Sequence, residues 1–187
     1  FQGAAQGQSL GFTLGMTGNF KEVAPGQNSE LPKYARLLLE FQHERVAFVD
    51  KRSFGTAKLL SEVQLRQKLG TLGPDPLKQA ISSSVFFGAQ RRWPKLTLAE
   101  VLMDQRVVAG IGNYLKCEIL YEAQLLPSVE LGTLTEAEVE RLTAAVNKLP
   151  KLSSACRGAT ILDYETPDGQ VGEFSKHFKV YGRKVDP

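Results

Sequence analysis

Six residues, Leu72-Gly73-Pro74-Asp75-Pro76-Leu77, divide this 187-residue chain into two stretches of different periodicity. Two prolines and a glycine so close together stop both a helix and a strand ladder, so neither pattern can run through them. On the N-terminal side the signal has period two. Leu10-Gly11-Phe12-Thr13-Leu14 alternates and ends in Gly15-Met16-Thr17-Gly18, and a Pro/Gly/Asn-rich loop covers Pro25 to Pro32. Arg36 to Phe41 and Arg45 to Asp50 are apolar runs split by Gln42-His43-Glu44, which predicts a hairpin, and Thr56 to Leu60 predicts a further strand. On the C-terminal side the period is helical. Thr97 with Glu100 predicts a capping box opening a helix that carries Leu98, Val101 and Leu102. After Ala109-Gly110-Ile111-Gly112, Asn113 opens a second helix with Tyr114, Leu115, Ile119 and Leu120. Thr135 with Glu138 opens a third, bearing Val139, Leu142, Val146 and Leu149, which Pro150 is expected to stop. The tail predicts a turn at Pro167-Asp168-Gly169 and a last strand near Phe178 to Tyr181. The expected class is therefore α+β.

Charge narrows the partners less by its total than by its placement. A net +3 is shared by many solvated surfaces, but Arg91, Arg92, Lys95, Arg106 and Lys116 face only Glu100 and Asp104 in their stretch. The run from Glu130 to Glu140 is acidic instead. A local basic patch of this kind can track phosphates while the rest of the surface stays balanced. No apolar run approaches the ~20 residues a membrane span needs, so no membrane partner is expected. Cys117 and Cys156 are isolated, and His43 and His177 are the only histidines, too few ligands for a structural zinc site. No metal and no cofactor are expected, and the two unpaired thiols fit a reducing, intracellular setting. Phe1-Gln2-Gly3 matches the end of a tag-protease recognition site and is set aside as a tag remnant.

Two segments carry chemistry. In Gly110-Ile111-Gly112-Asn113-Tyr114 the glycines let the backbone approach a partner, and the helix start offers unpaired amides. That suits a phosphate, with Gly112 giving room, Asn113 an added donor and Lys116 a charge one turn on. A tight glycine turn between packed helices explains the same spacing, and on spacing alone is the better reading. The second segment is a set of loop tips, Met16 between glycines and Arg52 and Phe54 within Asp50-Lys51-Arg52-Ser53-Phe54-Gly55. An apolar wedge beside a cation can fill the gap left by an extruded base. A core methionine and a hairpin aromatic are the plainer alternative.

The run from Leu102 to Leu120, Leu-Met-Asp-Gln-Arg-Val-Val-Ala-Gly-Ile-Gly-Asn-Tyr-Leu-Lys-Cys-Glu-Ile-Leu, closely resembles the helix–two-turns–helix signature of the formamidopyrimidine-glycosylase/endonuclease VIII family. Leu14-Gly15-Met16-Thr17-Gly18, Arg52-Ser53-Phe54-Gly55, Leu72 to Leu77 and Val180-Tyr181-Gly182-Arg183 look like further landmarks in the family's order. The resemblance implies a partial β-sandwich domain over residues 4–76 and a helical domain with the two-turn motif over residues 77–187. It implies double-stranded DNA with a damaged or abasic site as partner, bound in the cleft between the domains. Relatives excise oxidised bases and cut the abasic strand by β- or β,δ-elimination. By residue match, Met16, Arg52 and Phe54 resemble the triad that fills the vacated space, Asn113 matches a phosphate position, and Lys95 falls near another. Thr166 to Phe174 lies where the family places a cover for the flipped base.

The departures set the expected activity. The family's nucleophile is an amino-terminal proline followed by glutamate, and neither is among these residues, so the catalytic set is empty and the chain is expected to bind DNA without cutting it. A finger hairpin is likewise expected to be absent after Pro187, and Lys33-Tyr34-Ala35-Arg36 stands where relatives often carry histidine. The competing readings are a non-catalytic damaged-DNA-binding module and a helix-rich RNA- or protein-binding domain. The expected state is a monomer, in the bacterial cytoplasm with the nucleoid or in a eukaryotic nucleus.

Overall fold

The computed structural model describes residues 8–15, 17–24, 30–159 and 172–183. They form two compact units, Phe1–Lys68 with Arg157–Ser175, and Leu69–Cys156 with Lys176–Pro187. The sequence pattern puts the boundary at Pro76/Leu77. The units divide at Lys68/Leu69, and Arg157–Ser175 groups with the first of them.

The first unit holds five strands, β1 Gln8–Thr13, β2 Gly18–Val23, β3 Ala35–Glu40, β4 Arg45–Asp50 and β5 Thr56–Ser61. They make a three-stranded antiparallel sheet in the order β2-β4-β3 and a two-stranded β1-β5 ribbon. Residues 47–50 of β4 are buried in succession, so this strand has protein on both faces. On one face Ala47 and Val49 pack with Val23, Ala35 and Leu38. On the other, Phe48 and its register partner Phe20 meet Phe12 of β1, with ring centroids 4.9–5.5 Å apart. Those three rings join the ribbon to the sheet. The predicted hairpin stands, between β3 and β4.

Helix α1, Glu62–Gly70, follows β5 directly and buries none of its residues. Its start is a reciprocal cap, the Ser61 amide donating to Gln64 Oε1 and the Gln64 amide to Ser61 Oγ, 2.9 and 3.3 Å. The Ser-x-x-Gln signature is local, but no apolar stripe follows it, and the expected strand hides it.

The second unit is helical: α2 Ser83–Arg92, α3 Leu98–Met103, α4 Asn113–Glu122 and α5 Glu136–Ala155, with a 3-10 turn at Leu131–Thr133. Both predicted capping boxes form. Phe86, Leu98, Val101, Leu102, Ile119, Val139, Leu142 and Val146 are sealed from solvent and make its core. Asn147 of α5 pairs with both backbone groups of Ile81, at 2.7 and 2.9 Å, fixing the entry to α2.

Two expectations are corrected. Pro150 does not end its helix, which continues to Ala155. Proline costs α5 one amide donor, but Leu149, Pro150 and Ser153 are buried on its inner face, and Ser153 Oγ lies 3.0 Å from Tyr114 Oη on α4. Packing outweighs one missing bond. Nor do Phe178 to Tyr181 form a strand. The amides of Lys179, Val180 and Tyr181 all donate to the carboxylate of Glu118 at 2.8–3.1 Å, so they have no ladder to join. The turn expected at Pro167-Asp168-Gly169, and the candidate cover up to Val171, lie outside the described residues.

Candidate nucleic-acid interface

In the first unit the β1–β2 and β4–β5 loops are built on one carboxylate. Asp50 ends β4 with its side chain fully enclosed. Its oxygens accept from the Thr17 hydroxyl at 2.5 Å, the Arg52 amide at 3.1 Å and the Gly55 amide at 2.7 Å. Thr17 Oγ1 in turn accepts from the Arg52 amide at 3.1 Å, closing the set across both loops. These donors hold the Asp50 carboxyl below its ordinary value, the Thr17 hydroxyl foremost, then the amides, against burial that pushes it up. The loops also touch along their backbones: Gly15 has φ +60°, and a side chain there would meet Phe54 and Gly55 backbone at 3.0–3.1 Å.

From this braced base Arg52 and Phe54 project. Phe54 is 59% exposed, which removes the alternative of a core aromatic. The Arg52 guanidinium stands over its ring, 5.0 Å from the centroid. Met16 lies outside the described residues, although Gly15 and Thr17 on either side belong to this base.

In the second unit the two turns between α3 and α4 are tied by Gln105. Its amide nitrogen donates to Ile111 O at 2.9 Å and Met103 O at 3.3 Å, and its oxygen accepts from the Gly110 amide at 2.8 Å. Gly110, at φ +87°, makes the bend. Gly112 is then the N-cap of α4, with ordinary φ −108° and no side-chain cap. A side chain at Gly112 would meet nothing of the protein, so the glycine leaves room on the outside. The opening amides of α4 therefore face outward without a capping side chain, the arrangement that receives an anion. Asn113 is exposed beside them, its Oδ1 accepting from Lys116 Nζ at 2.7 Å. Lys95, on the α2–α3 loop, is exposed.

A family model described as the formamidopyrimidine-DNA glycosylase H2TH domain matches residues 72–164. The formamidopyrimidine-DNA glycosylase of Desulfitobacterium hafniense is 34% identical over 184 residues, covering 97% of this chain and 66% of that protein. That of Cereibacter sphaeroides is 32% identical over 191 residues, covering 97% and 67%. The chain belongs to the formamidopyrimidine-DNA glycosylase family. It spans about two thirds of the length of these relatives.

Solved members of the family share the fold. The crystal structure of the MutM (Fpg) protein of Thermus thermophilus superposes with a TM-score of 0.84 at 33% identity, over 96% of this chain and 66% of that one. The Lactococcus lactis Fpg, solved in complex with abasic-site DNA, gives 0.83 at 24% identity over 95% and 65%.

Sequence reasoning missed the residues that hold these tips in place. Asp50 and Thr17 give no warning, because an acidic residue closing a strand reads as ordinary turn chemistry. Gln105 carries no signal beyond its place between two turns. Glu118 could have been found: it falls on the buried stripe of α4 with Leu115 and Ile119, where an unpaired charge is costly and demands donors. Its three amide donors fasten the segment from Lys179 to Tyr181 to the helix. The rings of Tyr114, Phe178 and Tyr181 close over the same place, 5.3–6.3 Å between centroids.

Proposed function

We propose that this chain is the DNA-engaging body of a base-excision glycosylase, binding duplex DNA at a damaged or abasic position. Arg52 and Phe54, with Met16, are read as the group that enters the stack where a base has left it. Gly112, Asn113, Lys116 and Lys95 are read as the phosphate contacts, which set position but carry no lesion information. The observation that carries this reading is the exposed Phe54 ring, held with its stacked arginine on hydrogen bonds to the enclosed Asp50 carboxylate. An aromatic left in water on so rigid a support makes sense opposite a base stack, and the RNA- or protein-binding alternative gives it no role.

The relatives are formamidopyrimidine-DNA glycosylases by name, and the Lactococcus relative was solved on abasic-site DNA. We extend to this chain their partner, a damaged or abasic duplex, and the base-excision pathway as its setting. It acts as a monomer beside chromosomal DNA, in the bacterial cytoplasm or the eukaryotic nucleus. Among the described residues no helix is long and apolar enough to cross a membrane. The amine chemistry of base excision is assigned to none of the residues described. Competition binding tests the reading: an abasic-site duplex should displace labelled probe at lower concentration than its intact counterpart. Equal displacement by both would reduce the chain to a general DNA-binding domain.

A further inference from the structure

The α2–α3 junction carries a cationic surface of which the contacts above use only Lys95. Trp93 is the C-cap of α2, and two guanidinium groups stand over its ring, Arg92 at 4.6 Å and Arg106 at 5.4 Å from the centroid. Arg106 is fixed further by Asp104, its Nε and Nη2 donating to both carboxylate oxygens at 2.6–3.1 Å. That pairing, the hydrogen bonds before the charge, also holds the Asp104 carboxyl below its ordinary value. Each carboxylate of the stretch is thus committed, Asp104 to Arg106 and Glu100 to the Thr97 cap. Among the described residues no carboxylate comes within ion-pair distance of Arg91, Arg92 or Lys95, and all three are exposed.

We propose that Arg92, Trp93 and Arg106, beside Lys95, form a second phosphate platform that takes the DNA strand next to the phosphate received at the α4 N-terminus. The inference rests on the DNA reading and names the residues that extend it. Guanidinium groups suit phosphate oxygens because their planar fork can give two parallel N–H bonds. Stacking on the indole holds the Arg92 fork in place before any partner arrives, with Arg106, turned to Asp104, packed over the same ring, which lowers the ordering cost of binding. Arg106 also follows directly on Gln105, so the turn that shapes the α4 N-terminus and the turn that sets this platform are one stretch of backbone.

Trp93 is the only tryptophan in the chain, so intrinsic tryptophan emission reports this platform alone. The experiment titrates the whole chain with an end-labelled intact duplex, recording anisotropy of the label and emission of Trp93 together. Emission should change with the same midpoint as anisotropy. Arg92→Gln, which breaks no ion pair among the described residues, should lower the log–log salt slope by ~0.9, one phosphate contact. If anisotropy reports binding while emission stays still and Arg92→Gln keeps the full slope, the platform is wrong and the DNA reading stands. If anisotropy reports no binding at all, the DNA reading falls and this falls with it. A polyglutamate peptide that moves Trp93 emission as readily as the duplex would overturn the assignment to a nucleic-acid backbone.

Discussion

The loop tip of the first unit and the two-turn segment of the second solve the same mechanical problem with different chemistry. Each holds an exposed group on irregular backbone, and each uses one side chain to tie the turns beneath it. In the tip that side chain is Asp50, charged and enclosed, taking a hydroxyl and several amides from two loops. In the two-turn segment it is Gln105, neutral, half-buried and bonded only within its own segment. A carboxylate binds its donors more strongly but makes the site depend on protonation, whereas an amide costs less to bury and is indifferent to pH. The tip therefore has the stiffer support and the narrower range of conditions.

Removing the charge should produce the largest effect. Asp50→Asn keeps the shape but leaves one acceptor oxygen and introduces a donor among donors. It should lower the melting temperature by several degrees and reduce the preference for an abasic over an intact duplex roughly tenfold, since the Thr17 hydroxyl and the Gly55 amide lose a charged acceptor. Melts and competition titrations on one preparation read both. If lesion preference survives intact, the tip does not need its support. Acid makes the same change without mutation. The folded Asp50 carboxyl titrates below its ordinary 3.8, so the fold favours its charged form. Its contribution is whole at neutral pH, begins to drain as pH falls below that value, and is gone once the folded group protonates. Exchange of the Arg52 and Gly55 amides should accelerate in that acid window in the wild type and not in Asp50→Asn.

Gln105→Ala should act more gently on lesion preference, and in another way. Its three neutral bonds are each worth about 0.5–1.5 kcal/mol, so stability should drop by about 1.5–4.5 kcal/mol, spread over the two-turn segment rather than the tip. Binding to abasic and intact duplexes should weaken by the same factor, because phosphates are lesion-blind. A selective loss on the abasic duplex would erase the distinction between the two regions.

How far these regions can be read in advance follows from how local their physics is. The capping boxes at Thr97 and Thr135 and the β3–β4 hairpin depend on residues a few places apart, and all are legible. Pro150 misleads because the packing that carries α5 through it comes from α4, far away in the chain. Residues 178–181 mislead for the same reason, since their partner Glu118 lies on another element. At the tip, Arg52 and Phe54 stand out as an aromatic beside a cation, but nothing local joins Asp50 to Thr17.

Smallest of all should be Lys95→Ala, which removes one exposed cation. It should flatten the salt dependence by ~0.9 in log–log slope with no change in melting temperature and equal loss on both duplexes. An unchanged slope would take Lys95 out of the phosphate set.

The comparison turns on whether the tip reads a missing base, and Phe54→Ala tests that most directly. Abasic and intact duplexes are titrated against wild type and variant, with thermal melts alongside. The ring is mostly in water, so the variant should melt close to wild type. Base–aromatic stacking is worth ~1–3 kcal/mol, so it should lose most of the preference for the abasic duplex while binding the intact one nearly as before. A variant that melts many degrees early and binds both duplexes equally badly would show that Phe54 supports the fold and that the wedge assignment is wrong.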